Sequence, residues 1–140
     1  MPGAGGLSGG HAADPRFRAG VAAFATGAWF AAHEAWEEVW REAAGGEKRL
    51  LAGLVQAAVG MLKLEQGRVV GGRRVLARAR ANLLAAGVAT PVDVAALVRR
   101  IDAALAALAA HAVGGAAPLP APLDLLPAAG QHAAAEEYDE

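Results

Sequence analysis

The segment from Glu47 to Gln66, EKRLLAGLVQAAVGMLKLEQ, constrains the fold more than any other. Between Leu50 and Leu62 its only polar residue is Gln56, so a helix here is apolar nearly all the way round. Such a helix is stable in water only when other elements surround it. The run is also too short to span a bilayer, which needs about 20 apolar residues. The rest of the chain must therefore supply helices that enclose it.

It has the means to do so. The 140 residues suit one domain, and a chain of that length removes roughly 70% of its unfolded surface from water on folding. The 55% hydrophobic content is largely alanine, the strongest helix former, and only seven residues are aromatic. There is no cysteine, which excludes disulfides, thiolate metal sites and thiol nucleophiles. No stretch alternates with period two over enough residues for a strand.

Punctuation divides the chain into five helices. Asp14-Pro15 reads as an N-cap followed by proline at the first helical position, opening a helix to about Ala25. Thr26-Gly27 breaks it, with Thr26 placed to cap the next helix, about Ala28 to Ala43. Gly45-Gly46 reads as the stop of that helix. The third helix follows, closed by Gly67, and a fourth runs from about Arg68 to Ala86. Thr90-Pro91 with Asp93 starts a fifth, ending near Ala112. The expected fold is all-α: a compact bundle of about five antiparallel helices over residues 14–112. The glycine-rich residues 1–13 are expected to be disordered. Residues 113–140 form an extended tail, proline-rich in PLPAPLDLLP (118–127) and acidic in EEYDE (136–140). The proline run suits a strap laid over the helices by its leucines.

A net charge of −1 argues against nucleic acid or an anionic membrane as a general partner. No charged start leads into an apolar stretch, so the expected location is cytoplasmic. Self-association as a homo-oligomer is compatible with the chain.

Residues 26–40, TGAWFAAHEAWEEVW, carry the chemistry. At about 100° per residue, Trp29, His33, Trp36 and Trp40 fall on one stripe, with Glu37 at its edge and Glu34 further toward solvent. His33 and Glu37, at i and i+4, could both ligate a divalent metal with Glu34 as base, the design of a metal-dependent hydrolase. The zinc-peptidase pattern is not met, because Glu37 stands where its second histidine would be. The same residues admit a structural reading, in which Glu37 pairs with Arg41 and His33 is a hydrogen-bonded core histidine.

On the third helix Gly53, Gln56, Gly60 and Lys63 share a face, and its glycines, seven apart, let another helix approach closely or leave space. If that face meets the second helix, His33, Glu37, Gln56 and Lys63 form one network, with Lys63 paired to Glu37 or Glu34. This polar focus suits a small-ligand or protein-binding module. A second candidate is the fourth helix, where Arg68, Arg73, Arg74, Arg78 and Arg80 could bind anions or nucleic acid. No aromatic is interleaved among them, and a solvated face explains them better.

Phe24, Gly27, Ala32, His33, Glu34, Trp36, Glu37 and Trp40 spell F-x-x-G-x-x-x-x-A-H-E-x-W-E-x-x-W, and Gly53, Leu54, Val55, Gln56 and Ala58 follow as G-L-V-Q-x-A. This pattern resembles the prokaryotic family known as domain of unknown function 309. The resemblance extends over about Phe17 to Leu108, departing at Arg68 and Gly72. It implies a compact all-helical fold and a shared polar set of His33, Glu34, Glu37 and Gln56, and it implies no reaction.

Overall fold

A computed structural model describes residues 10–115 and 121–126. A short 3₁₀ turn, Gly10–Ala13, leads into five helices: α1 (Pro15–Ala25), α2 (Trp29–Glu42), α3 (Gly45–Glu65), α4 (Val69–Ala85) and α5 (Val94–Ala112). There is no strand among the described residues, and none of their helices is long and apolar enough to cross a membrane. Each helix packs mainly on its neighbours in the chain, with α3 between α2 and α4. As its composition requires, α3 is the enclosed element. No residue from Leu50 to Leu64 is exposed, and Leu50, Leu51, Leu54, Ala57, Ala58 and Met61 are essentially inaccessible.

Two helix starts follow from side-chain caps. The Asp14 carboxylate accepts the backbone N–H of Arg16 at 2.8 Å with Pro15 in the first turn, and Asp93 accepts that of Ala96 at 3.0 Å. Two other signals act differently from expectation. Thr26 does not cap α2; its hydroxyl donates back to the Ala23 carbonyl at 3.1 Å, closing α1, and α2 begins from Ala28 without a side-chain cap. Gly45-Gly46 does not end α2 but forms the first turn of α3. Gly46 is needed there because a Cβ would collide with the Ala86 carbonyl and the Val88 side chain.

The largest departure concerns what the helices face. Gly53 and Gly60 do admit a close neighbour, but it is α4: a Cβ at either would strike Leu83 or Leu76. Conversely, the tryptophan stripe turns mainly to α1. The Trp36 indole lies over Gly20, and its Nε1 donates to the Phe17 carbonyl at 3.0 Å. Phe24 meets Trp29 edge-on at 5.0 Å between centroids and Trp36 at 5.7 Å. Glycine at position 20 permits this, because a Cβ there would collide with the indole.

The N-terminal segment 1–13 was expected to be disordered throughout, yet its last four residues form the 3₁₀ turn and His11 is packed. His11 is 3% exposed and stacks edge-on against Phe17 at 4.8 Å. Residues 1–9 lie outside the described residues, as do 116–120 and 127–140, including EEYDE. Residues 121–126 form the expected strap. Leu125 is fully buried, its carbonyl accepts Asp93 N–H at 2.9 Å, and Arg100 donates to the carbonyls of Ala121 and Pro122.

Arg16 ties the N-cap of α1 to the end of α2. It donates to Asp14 at 2.8 Å and to Glu42 at 2.9 Å. Hydrogen bonds from Arg16 hold the Asp14 and Glu42 carboxyls below the usual carboxylate range and raise the guanidinium's own value. A lowered native value gives a contribution that is in place above the unfolded-chain value of about 4 and is lost as pH falls through the native values. Arg16→Gln should therefore lower stability near neutrality and converge with the parent chain in acid, as read by urea unfolding at a series of pH values.

Candidate functional site

The polar residues of α2 reach the structure at three different places. Glu37 and Trp40 face Ala52, Val55 and Gln56 of α3 across a cavity of about 150 Å³. Its wall is mostly apolar, with the Glu37 carboxylate and the Gln56 amide on its polar side. The Gln56 carbonyl oxygen accepts a hydrogen bond from the Asn82 amide at 2.7 Å, so α4 fixes the rotamer of a side chain that α3 presents to α2. At the lower end of the seam the Lys48 ammonium sits 4.3 Å from the centroid of the half-buried Trp40 ring.

His33 joins this group only through Glu37. Its Nε2 lies 3.4 Å from Glu37 Oε1, and Arg41 reaches the same oxygen from the next turn at 3.6 Å. Both distances exceed a good charged hydrogen bond, so Glu37 keeps open acceptor capacity. The His33 Nδ1 is buried with no hydrogen-bond partner among the described residues.

Glu34 and Lys63 stand apart. Glu34 is exposed on α2. Lys63 lies against α4, its aliphatic stem 3.3 Å from where a Gly71 Cβ would be, and it pairs with neither Glu34 nor Glu37 among the described residues. The expected four-residue network is divided because its α3 face turns to α4, leaving Gln56 at the edge where α2, α3 and α4 meet. His33 and Glu37 do come together as i,i+4 neighbours. Among the described residues, no group of three or more His, Asp or Glu side chains is placed to hold a metal ion.

The arginines of α4 are spread along an outer face. Arg68, Arg73, Arg74 and Arg78 are exposed, while Arg80 donates to Asp102 of α5 at 2.6 Å. One of the five thus braces α4 on α5.

A second polar constellation escaped the sequence. Glu47 Oε2 accepts both the backbone N–H and Nδ1–H of His11, each at 2.7 Å, and His11 Nε2 meets the Thr90 hydroxyl at 2.9 Å. Thr90 also accepts the Val92 N–H at 3.2 Å, so its own proton goes to Nε2. The three residues are separated by 36 and 79 positions, and no local pattern marks them. The only signal was compositional: a lone histidine in a glycine-rich segment, followed by an N-cap. Their bonds fasten the 3₁₀ turn to the start of α3 and to the α4–α5 connection.

With this geometry in view, comparison with known proteins gives one finding. The family model described as Domain of unknown function (DUF309) matches residues 17–75. No curated protein and no solved structure matches the chain. The matched segment holds α1, α2, α3 and the beginning of α4, and therefore every residue lining the Glu37 cavity. His11, Asn82 and Thr90 lie outside it. Over residues 17–75 the chain is similar to the DUF309 family, in line with the resemblance that its sequence carries.

Proposed function

We propose that this chain is a binding domain for a small organic ligand, held between α2 and α3 in the Glu37 cavity. The observation that carries the reading is the cavity itself. The neighbouring core is filled, with Trp36, Leu50, Leu51 and Leu54 almost wholly inaccessible, whereas the five half-buried residues of the cavity leave about 150 Å³ partly open to solvent beside a carboxylate and an amide. A cavity of this order accommodates a benzene-sized molecule. An apolar wall with a few convergent polar groups is the usual make-up of a small-molecule site.

Each residue then has a part. Trp40 and Val55 supply apolar contact, Glu37 is the charged anchor, and Gln56, steadied by Asn82, offers its amide N–H. His33 orients Glu37 from the turn before. The rival reading, a metal-dependent hydrolase with His33 and Glu37 as ligands and Glu34 as base, is supported by the i,i+4 approach alone. Catalytic zinc sites use three protein ligands, and two are gathered here. That rival requires Zn²⁺ or Mn²⁺ to raise the melting temperature and His33→Ala to abolish the rise; the binding reading requires neither.

The test is a ¹H–¹⁵N NMR titration with benzene-sized fragments of neutral, cationic and anionic type. Saturable shifts centred on the Trp40 indole and the amides of Val55 and Gln56 support the reading. Shifts confined to the arginine face of α4, or none that saturate, contradict it.

A further inference from the structure

We infer that the ligand of the α2–α3 cavity is a small organic cation, an alkylammonium or a compact amine. The inference rests on the reading of that cavity as a ligand site and names the chemistry it selects. Glu37 lines the cavity with its side chain 35% exposed, so any molecule that fills the space removes water from the carboxylate. A neutral occupant leaves that charge desolvated without compensation, and an anionic one adds repulsion. A cation replaces the lost water with a direct charge interaction.

The protein's own basic side chains do not already satisfy Glu37. His33 and Arg41 approach it only at 3.4 and 3.6 Å, and the Arg41 side chain is 61% exposed. Arg41 stands at the solvent side of α2 and His33 one turn before Glu37, and neither lines the cavity, whose wall carries no basic residue. The second feature is the Trp40 ring, whose negative face draws positive charge. The fold itself demonstrates this, since the Lys48 ammonium is held 4.3 Å from the ring centroid. A carboxylate and an indole on one mostly apolar cavity is the chemistry that recognises ammonium groups. A second polar pocket, of about 160 Å³ beside His11, has its charged groups already paired. There Arg16 is already bound by Asp14 and Glu42, and Glu47 by His11.

Lys48 follows as a modulator of selectivity. Its charge competes for the same ring or repels a bound cation, so Lys48→Met should strengthen cation binding.

The experiment compares tetramethylammonium with tert-butanol, a neutral molecule of similar size, by the saturable shift of the Trp40 indole N–H. Tetramethylammonium is expected to bind about tenfold more tightly, the margin that a partly desolvated cation–π and charge contact provides. Glu37→Gln, which keeps the shape of the side chain, should reduce that preference, and Lys48→Met should increase it. If tert-butanol binds as well or better, the cation inference is overturned while the cavity stands as a ligand site. If neither probe shifts Trp40 saturably, both are overturned. A preference unchanged in Glu37→Gln also overturns the inference.

Discussion

Trp36→Ala is expected to destabilise the chain by about 3–5 kcal/mol, the cost of deleting a large aromatic side chain from a packed core. Trp36 is wholly inaccessible and touches Phe24 and Gly20 of α1 while donating to the Phe17 carbonyl. Gly20, over which the indole lies, has no side chain to fill the space. Urea unfolding should show a fall in midpoint with little change in slope. Trp36→Phe keeps an aromatic ring but loses the Nε1 bond, and should fall between the alanine variant and the parent. A loss below about 1 kcal/mol for Trp36→Ala would mean that the α1–α2 interface is not a structural core.

His11→Ala is expected to cost about 2–4 kcal/mol, from a cavity at a fully buried ring and a Glu47 carboxylate left without its partner. The imidazole side chain has no exposed surface, and that of Glu47 only 12%. Removing residues 1–13 should cost at least as much, because the backbone bonds of His11 to Glu47 and Asp14 are then lost as well. Read from the sequence, that truncation would be nearly silent, since a glycine-rich terminus makes few contacts. Equal stability of the truncated and full chains by denaturant unfolding would show that the Glu47–His11–Thr90 bridge contributes nothing.

The difference between those two expectations shows where sequence reading reaches its limit. The enclosed position of α3 was legible because a helix apolar on every side has only one stable environment. The start at Asp14 was legible because cap and proline are adjacent, whereas that of α5 was read about three residues early, at Thr90-Pro91, when Asp93 is its cap. The close approach at Gly53 and Gly60 was legible too, but not its partner. A helix with two apolar faces does not say which neighbour takes which, and here α4 takes the glycines through Leu76 and Leu83. The tryptophan stripe was visible as a stripe, while its direction depended on Gly20, one residue on another helix. Gly45-Gly46 can end one helix or begin the next, and the contact with Ala86 that selects the second is invisible locally.

The candidate site divided in the same way. Glu37, Trp40 and Gln56 came together as the spacing suggested. His33 attached through its own helix, whereas Lys63 went with the face that meets α4. Asn82 and Ala52 had no motif to mark them. They belong to the site only because three helices meet at Gln56.

The cavity gives the account its most direct measurement, the stability and fragment binding of Ala52→Leu. Ala52 lines the open space between α2 and α3. Added methylenes in a fully packed core cost about 1–3 kcal/mol. In an open cavity they find room and gain contact. The account predicts that Ala52→Leu matches or exceeds the parent chain in melting temperature and no longer shows the fragment-induced Trp40 shifts. A variant that is less stable by more than about 1 kcal/mol, and that still binds the fragments, would contradict it.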